Sequence, residues 1–142
     1  MHNLLFFVKV QCKKYIILND RTRNIHYGIG AKCDARGHST KINGKSNQWY
    51  RFQAPAGNKM PDKPPSLSGY KCGTAATGYL TGGHPTKAGQ VVTRKVCFRL
   101  NRKKKCRYPA TTNVKVTHCG AFFVYQLPYA PTCNYRYCAE KK

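Results

Sequence analysis

Apolar and polar positions alternate along this chain in short runs of period two, and nowhere do they sustain a helical period beyond two turns. Phe6, Val8 and Val10 alternate around Lys9 and predict a half-buried first strand. Tyr15, Ile16, Ile17 and Leu18 continue that β-prone stretch. Residues 19–48 are polar, rich in Asn, Gly, Ser and Lys, and too long for a free loop inside a domain; Cys33 is expected to tie them down. Trp49-Tyr50-Arg51-Phe52 carries the one tryptophan and is predicted as the central strand, buried on at least one face.

Turns at 54–58 (Ala-Pro-Ala-Gly-Asn) and 62–65 (Asp-Lys-Pro-Pro) break the chain after it. Residues 72–80 read as a short helical turn or a strand, and Thr81-Gly82-Gly83-His84-Pro85 as a turn. Residues 91–98 predict a strand and 101–106 a basic turn. Residues 114–117 and 122–127 predict two strands around Gly120. Residues 128–138 form an aromatic, cysteine-tethered C-terminal segment. The fold class expected is small, disulfide-rich and mainly β, with irregular loops and at most short helices, in a single domain.

Charge changes this picture. Lys and Arg number 26 against four acidic residues, Asp20, Asp34, Asp62 and Glu140, for a formal +22. Self-repulsion of that size opposes compactness and calls for covalent cross-links and an anionic partner. The eight cysteines answer the first need. None lies in a CxxC pair, which argues against zinc ribbons and fingers. Their even number predicts four disulfides and an oxidising compartment, so the chain is expected to be secreted. No run approaches the ~18 apolar residues of a transmembrane helix. Leu4-Leu5-Phe6-Phe7-Val8 is like a signal-peptide core but short, and no small-residue cleavage site precedes Cys12; residues 1–11 read as an N-terminal strand or a truncated signal segment.

The ordered landmarks resemble the eight-cysteine domain of uromodulin and pancreatic glycoprotein 2. They run through Cys12, Tyr15-x2-Leu18-Asn19-Asp20-x2-Arg23, Cys33-Asp34, Trp49-Tyr50-Arg51-Phe52, Ala56-Gly57-x2-Met60-Pro61 and Cys72-Gly73-Thr74. Further on stand Leu80-x3-His84-Pro85, Gly89-x-Val91-x2-Arg94-x2-Cys97, Cys106, Val114-Lys115-Val116-x2-Cys119, Phe123-Val124-Tyr125-x-Leu127 and Cys133-x2-Arg136-Tyr137-Cys138. The resemblance covers 12–138, which is taken as the domain, with 139–142 as a basic tail. It implies the bridges Cys12–Cys119, Cys33–Cys133, Cys72–Cys138 and Cys97–Cys106. Relatives of this type carry two more cysteines, one after the Met-Pro and one where Lys105 stands, which look like partners of each other. The resemblance also implies a displayed N-linked glycan gripped by bacterial fimbrial lectins. That mechanism does not carry over, because the matching stretch 79–85 holds no Asn and the whole chain holds no Asn-x-Ser/Thr. EGF-like and zona-pellucida modules flank the domain in those relatives.

Candidate chemistry follows the charge. Four scattered acids make poor paired-carboxylate catalysis, an even set of bridged cysteines leaves no nucleophilic thiol, and His2, His26, His38, His84 and His118 show no HxH or HExxH spacing. No enzyme activity, cofactor or metal is expected, and His84 is expected to make a structural hydrogen bond. Tyr125, Tyr129, Tyr135 and Tyr137 are expected to cover the core. Between Cys97 and Cys106, five of eight residues are cationic: Arg99, Arg102, Lys103, Lys104 and Lys105, with Arg107 just beyond. A closed basic loop suits sulfate or phosphate groups, as in heparin or nucleic-acid patches. Lys13-Lys14, Arg21, Arg23 and Lys141-Lys142 are expected to add to its field. The function expected is non-catalytic extracellular binding of an anionic polysaccharide or acidic cell surface, with other extracellular proteins as further partners and no specific nucleic acid. The alternatives are a cationic host-defence protein acting on anionic membranes, and a structural module of a larger extracellular glycoprotein.

Overall fold

A computed structural model of the chain describes residues 8–65, 71–100, 106 and 111–142. Among the described residues seven strands form one mixed sheet: β1 (Ile16–Leu18), β2 (Trp49–Phe52), β3 (Ala76–Leu80), β4 (Val91–Arg99), β5 (Thr111–His118), β6 (Phe123–Gln126) and β7 (Tyr135–Tyr137). Their order is β1-β2-β6-β5-β4-β3-β7. The β3 to β6 meander is antiparallel, and β1 and β7 add in parallel to β2 and β3 at the two edges. The only helical pieces among the described residues are 3-10 turns at Val10–Cys12 and Arg21–Arg23. The protein is mainly β with irregular connections, as its alternating pattern predicts.

Two expectations are corrected. Val8 and Val10 are 49% and 72% exposed, and Val10–Cys12 is a 3-10 turn, so no half-buried strand forms at 8–10; Phe6 lies outside the described residues. Lys13 N bonds Val10 O at 3.0 Å, and the Cys12–Cys119 bond holds the turn against the start of the β5–β6 connection. Trp49–Phe52 is second from an edge, not central. With four residues it shares a short register with β6, whereas β4 and β5 pair from Val91↔Thr117 to Cys97↔Thr111 and make the sheet's middle.

The alternation of β2 is real. Tyr50 and Phe52 are fully buried, while Trp49 and Arg51 are only partly covered. Arg51 lies 3.7 Å over the Phe122 ring and bonds the Tyr15 hydroxyl at 2.8 Å. One core cluster joins Tyr50, Phe52, Phe98, Tyr125 and Tyr137 with aliphatic residues of the neighbouring strands. Phe52 meets Tyr125 edge-on at 5.3 Å, and Phe98 stacks on Tyr135 at 4.9 Å. Rings of this size let a small domain bury much apolar area with few residues. Gly78 makes the fit possible: a Cβ there would stand 2.9 Å from Phe98 and 2.7 Å from the Arg136 carbonyl.

The sheet's edges are drawn together beyond the strands. Ala139 N donates to Arg23 O and Ile25 N to Ala139 O, each at 2.9 Å. Glu140 N donates to Lys59 O at 2.8 Å on the other side. The segment leaving β1 and the one leaving β2 thus flank the end of β7, and backbone groups that an open edge would leave bare are paired. Four disulfides fasten these connections: Cys12–Cys119, Cys33–Cys133, Cys72–Cys138 and Cys97–Cys106, spanning 107, 100, 66 and 9 residues.

Candidate anion-binding site

The basic loop begins where β4 leaves the core. Val96, Cys97 and Phe98 are buried, and Arg99 is the strand's last residue, half-covered. Cys97 bonds Cys106, so residues 98–105 form a closed loop. Arg102, Lys103, Lys104, Lys105 and Arg107 lie outside the described residues. The Arg99 Nε is buried with no hydrogen-bond partner among the described residues. Arg99 pairs in register with Thr77, and Thr77 pairs on its other side with Arg136. Residues in one cross-strand row share a face, so Arg99 and Arg136 stand on the same side of the sheet, about 10 Å apart.

The cations around the loop have different fates. Lys13, Lys14, Arg21, Lys141 and Lys142 are exposed. Arg23 is not available to the surface field: it is 3% exposed and forms a bidentate pair with fully buried Asp34, both contacts at 2.8 Å. Arg23 Nη1 also donates to the Tyr137 carbonyl at 2.9 Å. Asp34 further accepts from Tyr137 N at 2.8 Å and from the Thr40 hydroxyl. Burial alone would raise the Asp34 carboxyl, but the Arg23 charge and these hydrogen bonds outweigh it and hold it below the usual carboxylate range. Sequence pattern alone does not point to this pair. Its one signal is that Arg23 and Asp34 both fall on the landmarks of the resemblance.

His84 makes the structural hydrogen bond expected of it. Its Nε2 lies 2.7 Å from the Tyr125 hydroxyl, which itself accepts from Met60 N at 3.0 Å. The Tyr125 hydroxyl still has its own proton to give, and donation to a neutral His84 Nε2 would put the imidazole proton on Nδ1, 3.9 Å from Asp62. Burial, then the nearby charge of Lys59 and Arg94, pushes His84 down to about 4, with Asp62 opposing. Unfolded histidine binds its proton near 6.5, so stability is full above that pH and falls as pH drops toward 4, by about 2–3 kcal/mol. His84→Gln keeps an acceptor for Tyr125 and cannot titrate. Urea unfolding at pH 4.5 and pH 7 is expected to show this loss in the wild type and not in the variant; equal losses would contradict the assignment.

The tyrosines are core residues: Tyr125, Tyr135 and Tyr137 are buried, and Tyr129 packs against the cluster beneath Arg36. The acids are also engaged. Asp20 caps the second 3-10 turn through Thr22 N at 2.9 Å, and Glu140 lies 3.8 Å from Lys142.

The profile of the uromodulin-like eight-cysteine domain matches residues 50–139. The chain belongs to this family. It is 32% identical to mouse (Mus musculus) uromodulin over 130 residues, covering 91% of this chain and 18% of that protein. It is 30% identical over 132 residues to the pancreatic secretory granule membrane major glycoprotein GP2 of Rattus norvegicus, covering 91% of this chain and 23% of that protein. The dog (Canis lupus familiaris) GP2 is 32% identical over 130 residues, with the same coverage of each chain. The chain thus spans about a fifth of the length of these curated relatives. The family match and the four bridges mark it as an extracellular domain. Among the described residues no helix is long and apolar enough to cross a membrane.

Proposed function

We propose that this uromodulin-like domain is a non-catalytic binding module for anionic glycans or acidic surfaces, met through the loop that Cys97 and Cys106 close. The observation that carries the reading is that bond: it spans nine residues and encloses five cations in a chain of net charge +22. A covalent loop of this length limits how far its charges can separate, which lowers the cost of gathering them against a polyanion. Sulfate and carboxylate groups are held by such guanidinium forks and ammonium charges. Binding would release counterions and weaken as salt rises.

The test is a variant with Arg102, Lys103, Lys104 and Lys105 all changed to Ser, on the disulfide-bonded chain. Its retention on immobilised heparin at ~0.3 M salt is expected to collapse while its unfolding midpoint stays put. Unchanged retention would overturn the reading.

A further inference from the structure

The cation–acid balance beneath the sheet's closing segment leaves positive charge over. A cleft of about 240 Å³ opens between the residues that follow β1 and the loop 32–41, lined by Asp20, Arg23, Lys32, Thr40, Lys41 and Arg136 among others. Arg23 is matched by Asp34. Arg136 is not matched in the same way. Its side chain is 5% exposed, and its Nη1 donates to two neutral acceptors, Thr22 Oγ1 at 2.8 Å and Cys72 O at 2.9 Å. Its one carboxylate contact among the described residues is Asp20 Oδ2, 3.5 Å from Nη2, and the Asp20 side chain is 49% exposed. Asp20 Oδ1 is already taken by the Thr22 amide and hydroxyl. Lys32 and Lys41, both exposed, also line the cleft, and the Lys41 amine lies 3.5 Å from the Ile17 carbonyl. Four cations thus share two carboxylates, Asp20 and Asp34. Burial, and then the neighbouring Arg23, pulls Arg136 down to about 10 against the opposing pull of Asp34 and Asp20.

A buried guanidinium with a partial counterion is costly unless another anion completes its shell. We infer that this cleft is a second anion site, which takes the sulfate or carboxylate of a single sugar unit between Arg136 Nη2 and the Lys32 and Lys41 amines. The volume is below that of drug-sized sites and suits one charged saccharide. Asn19 and Ser39 also line the cleft and supply polar groups for sugar hydroxyls. The inference takes its ligand class from the loop reading, but it stands on different residues, on the sheet face that also carries Arg99.

The test is a backbone amide NMR titration of the disulfide-bonded chain with glucose 6-sulfate, with glucuronate and with uncharged glucose. Saturable shifts at Lys32, Thr40 and Lys41 with a charged sugar and not with glucose are expected. The tighter of the two charged probes tells sulfate from carboxylate. Lys32→Gln/Lys41→Gln changes only exposed side chains and is expected to weaken that binding about tenfold with an unchanged unfolding midpoint. The four-Ser loop variant is expected to keep it, so loss of heparin retention with an intact cleft, or the reverse, separates the two sites. No saturable shift with either charged sugar, equal shifts with glucose, or full affinity in the double variant would overturn the inference.

Discussion

Asp34→Ala is expected to lower the stability of the domain by about 3–5 kcal/mol, a large part of what a domain of this size possesses. The substitution leaves the Arg23 guanidinium buried with, among the described residues, only the Tyr137 carbonyl as hydrogen-bond partner. It also strips the Tyr137 amide and the Thr40 hydroxyl of their acceptor. Asp34 ties three parts of the chain together: the segment after β1, the loop to Thr40, and β7. The pair itself need not be worth that much, because desolvation of both charges offsets most of their attraction. Arg23→Met/Asp34→Leu removes both charges and is expected to recover part of the loss. Urea unfolding followed by the fluorescence of the lone Trp49 reads all three proteins. A single variant within about 1 kcal/mol of wild type would show that the network is dispensable.

The second large effect separates long bridges from short ones. Cys12→Ser/Cys119→Ser opens a bond spanning 107 residues, and loop-closure entropy sets its contribution at about 4–5 kcal/mol. Cys97→Ser/Cys106→Ser opens one spanning nine, for about 2–3 kcal/mol. The long bond also resists the expansion that +22 favours, so its loss is expected to grow at low salt. The short bond closes little chain, and on the proposed reading it serves the basic loop more than the fold. Equal destabilisation by the two double variants, or a long-bond effect independent of salt, would contradict this division of labour.

Where the sequence was legible, the physics was local. β4 and β6 are β-branched and aromatic runs bounded by turn residues, and β2 shows its buried Tyr50 and Phe52 by simple alternation. β7 was hidden because Tyr135, Arg136 and Tyr137 are all buried, so no period of two survives. β3 was ambiguous because Ala76 and Gly78 carry no strand signal; Gly78 is there to admit Phe98. The alternation of Phe6, Val8 and Val10 misled because Val8 and Val10 have no neighbouring strand to cover them. Trp49 misled in another way, since ring size does not say which strand lies in the middle of a sheet. At the site, the run of charge between two cysteines was plain. The withdrawal of Arg23 and Arg136 into the interior was not, because a guanidinium in a basic chain looks like any other until its carboxylate partner is placed beside it.

The salt dependence of binding tests most directly whether the closed basic loop carries the affinity for polyanions. The affinity of the disulfide-bonded chain for a heparin decasaccharide would be measured between about 50 and 200 mM salt, beside the variant with Ser at 102–105. Four lost cations are expected to flatten the log–log slope by about 3 and to weaken binding at every salt concentration. Parallel lines of equal affinity would place the contact elsewhere on the molecule.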